Sequence, residues 1–312
     1  MLATHGAGQQ HDLRGLLRLF GTALLAANAV GCAAVGSRKS MPESLAACRK
    51  LSRDGIAALE RGESDRASEL LRKAVKKSPT DVDARRQLAD VLWQTGAYDD
   101  AVRHMEAAAE LDPENATTIV RAGEMLLAIG QFDQARNNAE IAIALDPQSA
   151  RAWALRGRVS RRQSEPRRAL ADLQQSLHYD PEASEVLLET AELQYQLGRP
   201  ERSLTTLHFL LDRYRPGEEP RRALWLEGLV YRAVDRPVDA VESLYAAAKR
   251  GAAEPNLLYQ LAQAQRRVGD DQAAVASVQQ ALAVDAGHEA SRILLTQLQA
   301  NPAAPAAAVI RR

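Results

Sequence analysis

Four prolines, Pro79, Pro113, Pro147 and Pro181, stand 34 residues apart, and three of them follow an aspartate in Leu111-Asp112-Pro113, Leu145-Asp146-Pro147 and Tyr179-Asp180-Pro181. Proline has no amide hydrogen to give to a helix interior, so a proline period sets an upper limit on the length of any helix between two of them. With each proline placed at position 32 of a 34-residue unit, position 8 reads Gly55, Ala89, Gly123, Gly157. Position 20 reads Ala67, Ala101, Ala135, Ala169, and position 27 reads Ala74, Ala108, Ala142, Ser176. Small side chains that recur in step with helix breakers are the signature of stacked helical hairpins.

The frame divides the chain into seven units: 48–81, 82–115, 116–149, 150–183, 184–217, 221–254 and 255–288. Each unit is expected to carry two helices of about 13 residues, roughly 20 Å long. Large apolar side chains fill the interior at Leu51, Leu71, Leu88, Leu92, Met105, Ile119 and Leu126, and Gly62, Gly96 and Gly130 mark turns between paired helices. Unit four replaces that glycine with Gln163-Ser164-Glu165-Pro166, where Pro166 suits the first turn of a second helix. Unit five carries Ser203 and Leu210 at positions 20 and 27, and Leu210 is large for a close crossing, so this hairpin is expected to open. The register then slips: Ser203 to Ala240 is 37 residues, with the extra three in the Pro/Gly-rich stretch 215–220. Residues 289–300 form one further helix that caps the array, and 301–312 are an Ala/Pro tail expected to be disordered.

These residues resemble the tetratricopeptide repeat family, whose unit has small residues at positions 8, 20 and 27, large apolar ones at 4, 7, 11 and 24, and proline at 32. Trp153 falls on position 4, its signature aromatic site. The resemblance implies an all-α fold, a right-handed α-solenoid of about seven helix-turn-helix repeats with a C-terminal capping helix. It also implies a concave groove lined by positions 2, 5, 9 and 12 of the first helices. Position 5 reads Ser52, Arg86, Val120, Ala154, Leu188, Trp225, Tyr259, and position 9 reads Ile56, Asp90, Glu124, Arg158, Glu192, Leu229, Gln263. Repeats two to four offer mixed charge through Arg86, Asp90, Glu124 and Arg158, whereas repeats five to seven add Leu188, Tyr195, Trp225, Leu229 and Tyr259 beside Glu192 and Gln263. Aromatic anchors beside apolar side chains are the composition of a binding hot spot. Trp225 and Tyr259 are equally compatible with packing between helices. The clamp with which some family members grip acidic chaperone tails needs Lys and Asn where this chain has Ser52, Ile56 and Gln87.

The first 31 residues lie outside the period. Arg14 and Arg18 precede an apolar run from Leu19 to Val30, too short to span a bilayer as a helix but of the length of a signal-peptide core. The run ends Ala29-Val30-Gly31-Cys32, which resembles a bacterial lipobox, with Ala29 where leucine is more usual. Residues 1–31 thus read as a lipoprotein signal, Cys32 as the lipid-anchor site and 32–47 as a tether, with helix starting near Ser44. Export as a soluble protein, an uncleaved anchor and a cytoplasmic chain are the alternatives. Cys32 and Cys48 are the two cysteines, so lipidating Cys32 leaves no intramolecular disulfide.

Composition and motifs point away from chemistry. Lys+Arg and Asp+Glu balance at 40 each, without the basic excess of a nucleic-acid binder. The sequence has no phosphate-binding glycine loop, no His-Glu-x-x-His, no cysteine pair at metal spacing and no Gly-x-Ser-x-Gly. His104, His178, His208 and His288 fall in different repeats and read as surface or packing residues. Arg161-Arg162, Arg167-Arg168, Arg221-Arg222 and Arg266-Arg267 read as solvated faces. The expectation is a non-enzymatic scaffold in a bacterial cell envelope, facing the periplasm or exterior. It is expected to use no cofactor, metal, nucleic acid or small-molecule substrate, to bind a protein or peptide in its groove, and to reach the membrane through a lipid anchor. A cytoplasmic adaptor or regulator of a separate enzyme is the other reading.

Overall fold

The structure is a computed structural model that describes residues 43–300. The signal sequence, Cys32, most of the tether and the tail at 301–312 lie outside the described residues. Those residues form fifteen helices and no strand: α1 (Glu43–Glu60), α2 (Ser64–Lys77), α3 (Val82–Gln94), α4 (Tyr98–Leu111), α5 (Ala116–Ala128), α6 (Phe132–Leu145), α7 (Ala150–Arg162), α8 (Pro166–Tyr179), α9 (Ser184–Gln196), α10 (Pro200–Leu211), α11 (Arg221–Ala233), α12 (Pro237–Lys249), α13 (Pro255–Arg267), α14 (Asp271–Val284) and α15 (Glu289–Ala300). Each odd helix pairs with the even helix after it, each hairpin stacks on the next, and α15 closes the series against α13 and α14. The fold is an all-α, right-handed α-solenoid. Helix α1 begins at Glu43 and so takes in residues 43–47, which the sequence reading gave to the tether.

Local chemistry fixes where the helices start and stop. Asp81, Asn115, Ser149 and Asp270 precede α3, α5, α7 and α14, and their side chains accept amide hydrogens from Ala84 at 2.8 Å, Thr118 at 3.1 Å, Ala152 at 3.4 Å and Ala273 at 2.9 Å. Pro166, Pro200, Pro237 and Pro255 open their helices, where the missing donor has no partner to lose. Asp112, Asp146 and Asp180 are the C-caps of α4, α6 and α8, so the periodic Asp-Pro pair is the end of each second helix.

Between paired helices the chain turns through one left-handed residue at position 15 of every repeat. Gly62, Gly96, Gly130, Gly198 and Gly269 hold five of these places, and Ser164 (φ 61°) and Asp235 (φ 58°) hold the other two. In the fourth repeat the Glu165 amide donates to the Ser160 carbonyl at 2.9 Å and the Ser164 amide to Arg161 at 3.2 Å. This is the helix-ending pattern that glycine ordinarily serves. The turn geometry therefore persists where its usual residue does not.

The small residues of the period lie where helices cross. A methyl group on Gly157 would come to 3.2 Å of the Ala169 carbonyl and 3.0 Å of the Leu173 side chain, joining positions 8, 20 and 24 of one repeat. Gly55 meets Leu71 and Ala67 in the same way. The third repeat differs, because position 24 is Ala139; there Leu155 of the next repeat fills the space, 2.5 Å from where a Gly123 methyl would sit. In the fifth repeat Leu210 at position 27 is fully buried, and Ser203 donates to the Ala191 carbonyl at 2.8 Å. Its helices α9 and α10 are in the least extensive contact of any hairpin, as expected for a large residue at that crossing. The three extra residues before α11 are held from the following repeat: Arg250 donates to the Gly217 carbonyl at 3.2 Å and pairs with Glu219.

Candidate functional site: the face of the odd helices

Odd helices of successive repeats lie side by side, and arginines bridge them at intervals close to the repeat length. Arg121 on α5 meets Asp90 on α3 at 2.9 Å, and Arg151 on α7 meets Glu124 on α5 at 2.9 Å. Arg158 on α7 meets Glu185 and Glu189 on α9, both at 3.0 Å. Glu192 on α9 holds Arg161 at 2.8 Å and Arg222 at 2.6 Å, from the repeats before and after it. The charged positions expected to line the groove, Asp90, Glu124, Arg158 and Glu192, are thus engaged in a ladder along it. Arg86 faces Asp83 on its own helix at 3.7 Å. Burial pushes the Glu189 carboxyl above its ordinary pKa, with Arg158 pulling against it.

Beyond α9 the face changes character. A cavity of about 440 Å³ between α9 and α11 is lined by Tyr195, Trp225, Leu226 and Leu229, with Glu192 and Arg222 at its edge. Trp225 is half-buried: it packs against the buried cluster around Leu224 and Tyr231 and also walls this cavity. Its indole N–H is buried and has no acceptor among the described residues. Leu188, on the same α9, packs inward against the cluster around Leu187 and Leu207.

A second cavity, about 520 Å³, lies between α13 and α15 and is walled by Tyr259, Gln263, Ile293 and three arginines, Arg232, Arg266 and Arg267. Tyr259 packs against the cluster around Ala262 and Leu294, stacks edge-on with His288 at 5.9 Å and accepts from the Gln263 amide. Arg232 donates to the amide oxygens of Gln260 and Gln263, and Arg266 to Gln297 at 2.8 Å. Neither has a carboxylate partner among the described residues, whereas Arg267 pairs with Asp235 at 2.9 Å. Burial depresses the Arg232 pKa, and the nearby Arg267 charge adds to the effect.

Arg222, Arg266 and Arg267 are exposed, as the sequence leads one to expect of a solvated face, whereas Arg221 is half-buried against the next turn. Arg221 reaches the Ala247 carbonyl at 3.2 Å, the Ala252 carbonyl at 2.7 Å and Glu254 at 2.7 Å. Arg266 and Arg267 wall the second cavity. Arg232 and Arg266 were legible, since both occupy position 12, a groove position not read out beyond Tyr195. Ile293 stands 34 residues after Tyr259, at position 5 of a further unit, so the frame carried into the capping helix would have marked it.

The descriptions of three family models that match the chain all read tetratricopeptide repeat: one covers residues 53–116, 155–207 and 188–256, another 92–159 and a third 257–298. The chain belongs to the tetratricopeptide repeat family. No curated protein matches it. Among solved structures, a tetratricopeptide repeat protein from Parabacteroides merdae is 16% identical, with a TM-score of 0.58 over 82% of this chain and 100% of its own. A chain of the APC/C hetero-tetramer Cut9-Hcn1 is 15% identical, with a TM-score of 0.60 over 78% of this chain and 47% of its own. Pseudomonas aeruginosa pilF is 20% identical, with a TM-score of 0.50 over 81% of this chain and 99% of its own. At these identities the likeness is one of fold. Repeats of this family make the chain a protein-interaction scaffold.

Proposed function

We propose that this tetratricopeptide repeat protein is a non-enzymatic, lipid-anchored scaffold that holds a peptide or protein partner on its odd-helix face in a bacterial envelope assembly. The observation that carries the reading is the pairing of an aromatic-walled cavity at Trp225 with a second cavity one repeat further on. Such concave, partly apolar sites with a few convergent polar groups are where proteins bind ligands. The anchor rests on the order of charge, apolar run and small residues before Cys32. No helix among the described residues is long and apolar enough to cross a membrane.

The test is crosslinking in intact source cells from a photoreactive residue at Leu229, with Tyr245 on α12 as the comparison site. One and the same protein captured from Leu229 and not from Tyr245 supports the groove; equal capture from both, or none from Leu229, removes it. Mass spectrometry of the mature chain tests the anchor separately, the expected species beginning at a diacylglyceryl-modified Cys32.

A further inference from the structure

The two cavities differ in charge as well as in place. The first is mostly apolar, and its single acid and single arginine, Glu192 and Arg222, are paired with each other at 2.6 Å. The second has three guanidinium groups in its wall and no carboxylate. Arg232 and Arg266 are satisfied by neutral amide oxygens, which fulfil hydrogen bonds without cancelling charge. Along the rest of the face, from Asp90 to Glu192, acids and arginines neutralise one another across repeats. Positive charge without its counterpart therefore collects beside the apolar cavity. Leu229 in the first wall and Arg232 in the second are three residues apart on α11, so they neighbour each other on one helix face. Neighbouring helix axes lie about 8–10 Å apart, a distance that about three residues of extended chain would cross.

On the groove reading above, we infer that repeats five to seven receive an acidic segment of a partner protein, with a bulky apolar side chain in the Trp225 cavity and carboxylates a few residues away at Arg232 and Arg266. Guanidinium forks bind carboxylates through paired, charge-assisted hydrogen bonds. A carboxylate entering this cavity meets Arg232 and Arg266, which have no carboxylate partner among the described residues, beside Arg267, which is already paired with Asp235. The exposed side chain of Ile293 gives the incoming segment apolar contact at the far wall. The chain's own residues 301–312 contain Arg311 and Arg312 and no Asp or Glu, so they do not supply the acidic segment.

The experiment uses the full chain and a fluorescein-labelled decapeptide of glutamates with one central phenylalanine, followed by anisotropy. Saturable binding is expected, weakening steeply with added salt. Arg232→Gln with Arg266→Gln should weaken it at least tenfold, and Trp225→Ala, or alanine in place of the peptide's phenylalanine, several-fold. Arg103→Gln, on the even helix α4 away from this face, should leave it unchanged. Far-UV circular dichroism and the unfolding midpoint of each variant separate lost binding from lost fold. No binding of the acidic peptide, equal binding of its lysine counterpart, or indifference to the double substitution overturns the inference. A several-fold gain on deleting residues 301–312 overturns it too, because the occupant would then be the chain's own tail. Crosslinking separates the two proposals: a partner captured from Leu229 through a segment without net negative charge keeps the scaffold and sinks the acidic ligand.

Discussion

Ser164 and Asp235 occupy the turn position that glycine holds in the other five repeats, with φ near +60°. A side chain with a β-carbon is strained there, by about 1–2 kcal/mol per residue, and glycine is not. Part of that gain is lost because glycine has more freedom in the unfolded chain. Ser164→Gly is therefore expected to raise stability by about 0.5–1 kcal/mol, read as a higher denaturant midpoint. Asp235→Gly should give less, because aspartate tolerates this conformation and its carboxylate pairs with Arg267. A midpoint for Ser164→Gly at or below that of the parent would mean that the turn is not strained. At Gly228 the opposite holds. A β-carbon there would approach Leu244 Cγ to 2.5 Å and its backbone nitrogen to 3.2 Å, and neither atom is the free end of a side chain. Gly228→Ala should cost about 1–3 kcal/mol through overpacking. Gly55→Ala, whose nearest atom is Leu71 Cγ at 2.9 Å, should cost less, and equal losses at the two sites would argue against the close crossing.

Among the elements, the junction of α10, α11 and α12 is where the period slips and where a carboxyl is buried. Glu227 on α11 accepts from the Ser243 hydroxyl on α12 at 2.8 Å and lies 3.5 Å from His208 on α10. Tyr231 on its own helix contacts His208 at 2.9 Å, and Glu242 and Asp239 of α12 add negative charge nearby. Burial pushes the Glu227 carboxyl above its ordinary value of 4.5, so the folded chain holds this proton more tightly than the unfolded one. The sign follows: the contribution of this group is fully present below the unfolded value and is lost as pH rises through the folded one. Glu227→Gln keeps an acceptor for Ser243 and removes the buried charge. Its unfolding midpoint is expected to exceed the parent's at pH 7, with the difference shrinking toward pH 4. A constant difference across that range would place the titrating group elsewhere. The fifth hairpin, whose paired helices share the least extensive contact, is expected to be first to lose amide-exchange protection.

At the scale of the whole molecule, stability comes from each hairpin on its neighbour, which leaves one face free to carry function. The arginine–carboxylate ladder joins odd helices from the second repeat to the sixth. Partly exposed ion pairs of this kind are individually worth little, about 0–1 kcal/mol, so the ladder acts chiefly to neutralise the face it runs along. The prediction at this scale concerns where the molecule resides. Cys32→Ala is expected to move the chain from the membrane fraction to the soluble or unprocessed one. Normal processing with unchanged membrane partition would remove the lipid anchor and leave the repeat array as it stands.

The 34-residue period by itself determined the helices, their ends and the crossings, because each depends on residues within one repeat or the next. Asp112-Pro113 stops a helix through local backbone chemistry, and Ala135 or Gly157 permits a crossing wherever the unit is stacked. The family resemblance also marked Trp225 and Tyr259 without deciding between groove and core, and in the structure Trp225 both packs against the Leu224 cluster and lines a cavity. Which charges meet was left to the tertiary structure. Arg158 finds Glu189 and Arg232 finds only amides because side chains 27 to 31 residues apart are brought together by the stacking angle of successive hairpins. That angle is a property of the assembled solenoid and not of any single repeat.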